Sequence, residues 1–269
     1  NYMPENTTWL SSSNGSRTRT SIGHSQSSSC GCGQCNLFSG HAFQNALGAT
    51  ALAATQDSII SDEEQKKLIQ QGLRLVAMHE VGHTLGLRHN FKGSSVASLD
   101  QINSKKNVDR RAATTSVMDY VPVNIVPKGS FQGPYYPTRL GPYDYWAIDY
   151  GYRPISGTTP KAERPTLLKI ASRSGESQLA FATDEDTTAG DPDPLSNRYD
   201  LGNDPIAFAE QRSKVVQELI PKLVERFTAN DAGYDRVRHA FGVLLGAHGQ
   251  ANFFAARLVG GLHSSRSHR

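Results

Sequence analysis

The residues with the clearest chemical potential lie close together in the sequence: His79, Glu80 and His83. Residues four apart share one face of an α-helix, so His79 and His83 can present two imidazoles to one zinc ion. Zinc lowers the pKa of a bound water to about 7. Glu80 leans toward the same opening, where it can take the proton of this zinc-activated water and later deliver it to a leaving amine.

A third ligand is predicted at His89, which follows soon after this helix. Gly86 lets the backbone turn sharply toward the metal, because glycine readily takes the left-handed conformation that ends helices. Three imidazoles and a water form the open tetrahedral site that catalytic zinc requires. Arg88 and Asn90 flank the third ligand, and either can orient it through a hydrogen bond. The alternative is a helix whose histidines lie in the protein core with their hydrogen bonds satisfied. Under this alternative, the spacing of all these residues is a coincidence.

The helix that must hold this motif is predicted from about Asp62 to about Leu85. Ser61 and Glu64 have the spacing of a capping box, and apolar residues then recur at helical spacing. Further helices are predicted over residues 42–55, 141–148, 204–227 with a bend near Pro221, 235–245 and 252–258. Residues 90–135 and 153–203 are predicted to be irregular, the second segment with short strands such as Leu179–Ala182.

Three regions of different composition divide the chain. Residues 1–60 are interpreted as a Ser/Gly-rich, partly disordered leader with an Ala-rich helix, and residues 61–152 as the zinc-binding catalytic core. Residues 153–269 are interpreted as a loop excursion and a helical C-terminal subdomain. The chain opens Asn1-Tyr2-Met3, without a start methionine, a basic stretch and an apolar run, so we expect it to be a piece of a longer protein.

The composition favours an ordered protein without a strongly charged partner. Hydrophobic residues make up 37% of the 269 residues and charged residues 20%, which is far from the signature of disorder. The 28 basic and 25 acidic residues give a net charge of +3, too balanced to predict binding to nucleic acid or to an anionic membrane. No apolar run in the sequence approaches the roughly 20 residues of a transmembrane helix. The zinc motif, rather than the composition, predicts the partner, which is a protein or peptide substrate.

All three cysteines lie in one glycine-rich segment, as Cys30, Cys32 and Cys35. His24 and His41 flank them, so a second zinc site is one interpretation, although separated Cys-x-x-Cys pairs are absent from the sequence. A disulfide with one free thiol and the absence of any specific role are the others.

An acidic segment offers a second possible metal site. It contains Asp184, Glu185, Asp186, Asp191 and Asp193 between glycines and prolines. Oxygen ligands of this kind can hold calcium, but solvated turns use the same residues, and the spacing matches no EF-hand loop. Calcium is therefore a second, weaker cofactor prediction beside zinc.

The run His79–His89 resembles the long zinc signature of the metzincin metalloproteases. Ser116–Tyr120 resembles the Met-turn of that family. The resemblance implies that Met118 packs as an apolar floor beneath the zinc histidines. It also implies that Tyr120 can act as an extra metal ligand and then stabilise the oxyanion of the transition state.

A closer resemblance is to the bacterial zinc-dependent metalloproteases with a Met-zincin domain. It is carried by His79–Phe91, Ser116–Ile125 and Leu140–Ile148, and extends through Asn197–Gly202 to Val259–Gly261. The resemblance implies an α+β zincin fold, mostly helical in this chain, whose twisted sheet lies upstream, and an extracellular or periplasmic location.

The function predicted from the motif and from this resemblance is a zinc-dependent endopeptidase. Zinc is held by His79, His83 and His89, Glu80 is the general base and Tyr120 assists catalysis. The alternatives are a non-enzymatic interaction module stabilised by zinc, an inactive truncated catalytic half, and the hydrolysis of a non-peptide amide.

Overall fold

The computed structural model describes residues 37–55, 62–157, 159–187, 191–228 and 233–265. All of them belong to the compact unit Gly33–Arg269. The predicted Ser61 cap and the three cysteines lie outside the described residues.

The described part of the chain contains eight α-helices. They are α1 Leu37–Thr55, α2 Asp62–Thr84, α3 Leu99–Ile102, α4 Pro142–Tyr152, α5 Pro160–Ala171, α6 Pro205–Leu219, α7 Leu223–Phe227 and α8 Asp235–Ala256. Short 3₁₀ helices cover Ser172–Gly175, Ser177–Leu179, Asp184–Thr187 and Ile220–Lys222. No strand occurs within the described ranges, so the sheet of the expected α+β fold stays a prediction.

Most helix predictions are confirmed, and local chemistry explains where these helices begin. Asp204 caps α6 by accepting hydrogen bonds from the first free backbone N–H groups, and Pro205 occupies the first turn, where it sacrifices no hydrogen bond. The bend predicted near Pro221 appears as the 3₁₀ turn between α6 and α7. Pro142 starts α4 in the same way.

Three local predictions are wrong. The strand predicted at Leu179–Ala182 is a 3₁₀ turn followed by irregular backbone. Helix α5 was missed, although Thr159 caps it by accepting a hydrogen bond from its N3 backbone N–H. The two helices predicted after residue 235 are one helix, α8. Its Gly246 does not end the helix but lets the backbone approach Phe43 of α1, since a Cβ there would lie 3.3 Å from that ring.

The core packs α2, which carries the zinc motif, against α1. At Gly48 of α1 a Cβ would lie 2.9 Å from the Leu68 side chain, so the two helices approach closely at this point. Leu47, Leu68 and Leu75 are buried in the same core. None of the helices in the described part of the chain has the length and apolar character needed to cross a bilayer.

Candidate metal centre

Helix α2 ends one residue after the second histidine of the motif. Gly86 has φ +82°, the left-handed conformation predicted for it. The Gly86 N–H donates to the His83 carbonyl (2.9 Å) and the Leu87 N–H to the Gly82 carbonyl (3.0 Å). This pair of bonds is a Schellman motif, which satisfies the last carbonyls of a helix and reverses the chain. The backbone after Gly86 therefore turns back toward the face that carries the histidines.

The structure brings His79, His83 and His89 together. One nitrogen of each lies within 4.8 Å of those of the other two. The ring centroids are 4.7 Å apart for His79 and His83, 4.8 Å for His83 and His89, and 5.3 Å for His79 and His89. His79 is buried, and the other two rings are half-buried. The cluster thus opens to solvent on the side of His83 and His89.

Backbone carbonyls orient the first two rings. His79 Nδ1 lies 2.8 Å from the Val117 carbonyl, and His83 Nδ1 lies 2.9 Å from the Leu87 carbonyl. A carbonyl oxygen only accepts hydrogen bonds, so Nδ1 is the nitrogen that carries the hydrogen in each of these two contacts. Each Nε2 therefore keeps its lone pair, as a zinc ligand must.

The third ring is oriented by a residue that the sequence did not point to. His89 Nδ1 lies 2.9 and 3.0 Å from the two carboxylate oxygens of Asp184. Neither predicted partner contacts His89: Arg88 donates to Glu185, and the Asn90 amide donates to the Ala180 carbonyl. The only signal in the sequence was the acidic character of Asp184 itself.

The polar atoms of the cluster fit a metal ion. Within the described part of the chain, His79 Nε2 is buried and has no hydrogen-bond partner, a costly state unless a ligand takes its lone pair. The pKa of His79 is lowered to about 4, chiefly by burial and also by the neighbouring His83 and His89, against the raising effect of the Val117 hydrogen bond. The ring is therefore neutral at physiological pH, the form that binds zinc.

The calcium prediction finds no support. Among the residues that the structure describes, the three histidines are the one His/Cys/Asp/Glu group close enough to hold an ion. The acidic side chains are used in other ways: Asp184 contacts His89, Glu185 pairs with Arg88 at 2.9 Å, and Asp193 pairs with the Lys92 ammonium at 2.6 Å.

Met118 packs directly on α2. Its side chain is fully buried, and a Cβ built on Gly82 would overlap the Met118 sulfur, so only glycine leaves room for this contact. The loop before Met118 is tied to Asp144 at the start of α4, a residue for which the sequence predicts no role at the site. Asp144 accepts hydrogen bonds from the Ser116 hydroxyl (2.7 Å) and from the Val117 N–H (3.0 Å). Asp144 thereby fixes Val117, the residue whose carbonyl orients the first histidine.

Tyr120 and Glu80 flank the cluster. The Tyr120 hydroxyl lies 3.1 Å from His89 Nε2. The pKa of Tyr120 is raised to about 12, chiefly by burial; Arg198 acts against this rise, and the negative charges of Asp184 and Glu80 add to it. Tyr120 is therefore a protonated donor at neutral pH. Glu80 is exposed on α2, and its negative charge is close enough to contribute to the raised pKa of Tyr120.

A family model described as Met-zincin matches residues 61–269, which are 209 of the 269 residues. No curated protein and no solved structure shows a match to the chain. The matched span contains the three clustered histidines together with Glu80 and Met118. Because the match covers more than half of the chain, the protein belongs to the Met-zincin family.

Proposed function

We propose that this chain is the catalytic region of a zinc-dependent endopeptidase. His79, His83 and His89 would hold the zinc ion through their Nε2 atoms. The observation that carries the proposal is the buried, unpartnered Nε2 of His79 beside two further imidazoles whose Nδ1 atoms are already engaged. Membership of the Met-zincin family supports the same assignment.

A bound zinc ion would supply Lewis-acid polarisation of the scissile carbonyl and would lower the pKa of a water at the open position. Glu80 accepts one proton from the attacking water and delivers it to the leaving nitrogen, so no covalent enzyme intermediate is required. Tyr120, protonated at neutral pH, donates a hydrogen bond to the oxygen that gains negative charge. Met118 would serve as the Met-turn methionine beneath the histidines; its packing against Gly82, one residue before His83, supports this role.

The position of Glu80 supports a catalytic over a purely structural site. It is exposed, whereas the preceding ligand His79 is buried, so a substrate can reach the carboxylate. A structural zinc site is closed by four protein ligands and has no use for a base beside an open position. Within the described residues, only three clustered histidines are found.

Replacement of Glu80 by glutamine tests this proposal. Glu80→Gln should reduce the cleavage of a mixture of internally quenched peptides by at least about 100-fold, while the bound zinc measured by atomic absorption stays unchanged. Glu63→Gln is the matched control, because Glu63 is an exposed carboxylate on the same helix.

Two outcomes would contradict the proposal. Full activity of Glu80→Gln would remove Glu80 as the base. Stoichiometric zinc without peptide cleavage, measured in the longest natural form of the protein, would favour the zinc-stabilised interaction module.

A further inference from the structure

The three histidines are oriented by two different kinds of partner. His79 and His83 contact neutral backbone carbonyls. His89 alone contacts a carboxylate, from Asp184, which lies 95 residues further along the chain. A carboxylate partner both fixes the ring and strengthens the lone pair of the nitrogen that faces the metal, more than a neutral carbonyl does.

Asp184 is itself held by Arg198. The Arg198 guanidinium donates to Asp184 Oδ1 at 3.2 Å. It lies over the Phe91 ring, 4.9 Å from the centroid, and near the Tyr120 ring at 5.8 Å. These faces limit the freedom of the guanidinium, since a cation is attracted to the electron-rich face of an aromatic ring. Arg88 also approaches Asp184, at 3.8 Å, but it is exposed and its hydrogen bonds go to Glu185.

The backbone that carries Arg198 is held in an unfavourable conformation. Tyr199 has φ +68°, a value that costs a bulky residue free energy and persists only where the surroundings enforce it. Its ring is buried, and its N–H donates to the Tyr120 carbonyl at 2.6 Å. On its other side, Asp200 accepts a hydrogen bond from the Asn197 amide at 3.0 Å. The strained residue, Tyr199, therefore directly follows Arg198, whose side chain points toward the metal centre.

We propose that Asp184, held in place by Arg198, is the positioning residue that orients His89 for zinc. Asp184 and Arg198, both remote from the zinc motif in sequence, thereby set the affinity of the site for the metal. This inference rests on the zinc site of the proposed function, but not on peptide hydrolysis.

Zinc affinity, measured by competition with a chromophoric chelator, tests the role of Asp184. Asp184→Asn should weaken zinc binding by about 10- to 100-fold, the usual effect of losing such a partner. Glu185→Gln is the matched control, because this neighbouring carboxylate pairs with Arg88 and not with a histidine, and it should stay within about twofold of wild type. The cobalt-substituted Asp184→Asn protein should show shifted visible bands, which a change in general stability would not produce.

A double-mutant cycle tests the role of Arg198. If Asp184→Asn does not fold, the single variant Arg198→Gln carries the test instead. Arg198→Gln should weaken zinc binding several-fold in the wild-type background and have almost no effect in the Asp184→Asn background, because it acts through Asp184. Equal effects in both backgrounds, or no effect of either single variant, would overturn the inference. If wild type binds no zinc, the proposed function fails as well; if it binds zinc and both variants match it, only this inference fails.

Discussion

A methyl group added at Gly82 would test the contact between Met118 and the zinc helix. In an unobstructed helix interior, replacing glycine by alanine stabilises the folded state by about 1 kcal/mol. At Gly82 the new Cβ would overlap the Met118 sulfur, and Met118 is fully buried, so the two side chains would compete for the same space. Overpacking of this kind costs about 1–3 kcal/mol. Gly82→Ala should therefore be up to about 2 kcal/mol less stable than wild type.

Gly242 on α8 provides the matched control, because it is exposed and no atom lies within 4 Å of its added Cβ. Gly242→Ala should gain up to about 1 kcal/mol, so the two alanine variants should differ by about 1–3 kcal/mol. Urea denaturation of the metal-free proteins gives both values. Zinc is removed because a ligand that binds only the folded state would add its own stabilisation.

A second substitution identifies the atom responsible. Met118→Ala leaves a cavity in wild type and costs about 2–5 kcal/mol there. In the Gly82→Ala background the same truncation also relieves the overlap, so its cost should be smaller by about 1–3 kcal/mol. If Gly82→Ala gains as much stability as Gly242→Ala, the sulfur does not pack on the helix, and the account of Met118 as the floor of the site is refuted.

Two further predictions concern the turn before the third ligand and a buried ion pair. Gly86→Ala should cost about 1–2 kcal/mol of stability, because φ is +82° there, and should weaken zinc binding by displacing His89; an unchanged zinc dissociation constant would argue against this route for the third ligand. Burial alone would raise the pKa of Asp193, but the hydrogen bond and charge of Lys92, with two backbone N–H groups, hold it at about 2. The resulting stabilisation, about 2 kcal/mol, is present above about pH 4 and is lost as the pH falls toward 2. His263 also faces this carboxylate, at 3.6 Å, so the test removes the closer cation, Lys92. In Lys92→Met, the urea midpoints measured between pH 5 and 2.5 should lose this acid dependence. An unchanged profile would contradict the role of Lys92 in lowering the pKa of Asp193.

The part of the site that the sequence predicts is the part that local rules determine. The placement of His79 and His83 on one helix face follows from helical periodicity alone, and the end of that helix follows from the conformational freedom of Gly86. The partner of His89 does not follow from such rules, because Asp184 is 95 residues away. From the sequence, only the neighbours Arg88 and Asn90 are predicted as partners of His89.

The fold shows the same division. Helices with a cap, a proline in the first turn and regular apolar spacing were predicted close to their observed positions, as for α2, α4 and α6. Helix α5 was missed because Pro165 and the surrounding glycines and prolines resemble a loop, although its Thr159 cap is an ordinary one. Helix α8 was divided because its glycines resemble stops, whereas Gly246 serves a close approach to α1 that only the packed structure reveals.

These observations explain why the zinc motif needs so much additional chain. The motif supplies three donor nitrogens, but a histidine binds a metal well only when its other nitrogen is fixed. The acceptors for that second nitrogen come from three places: the turn at Leu87, the loop at Val117 and the distant Asp184. Val117 and Asp184 lie outside the motif. The Val117 acceptor is a backbone carbonyl, which any residue type would supply. A short signature therefore predicts the ligands, whereas the orientation of the three rings depends on loops that α4 and the residues around Arg198 hold in place.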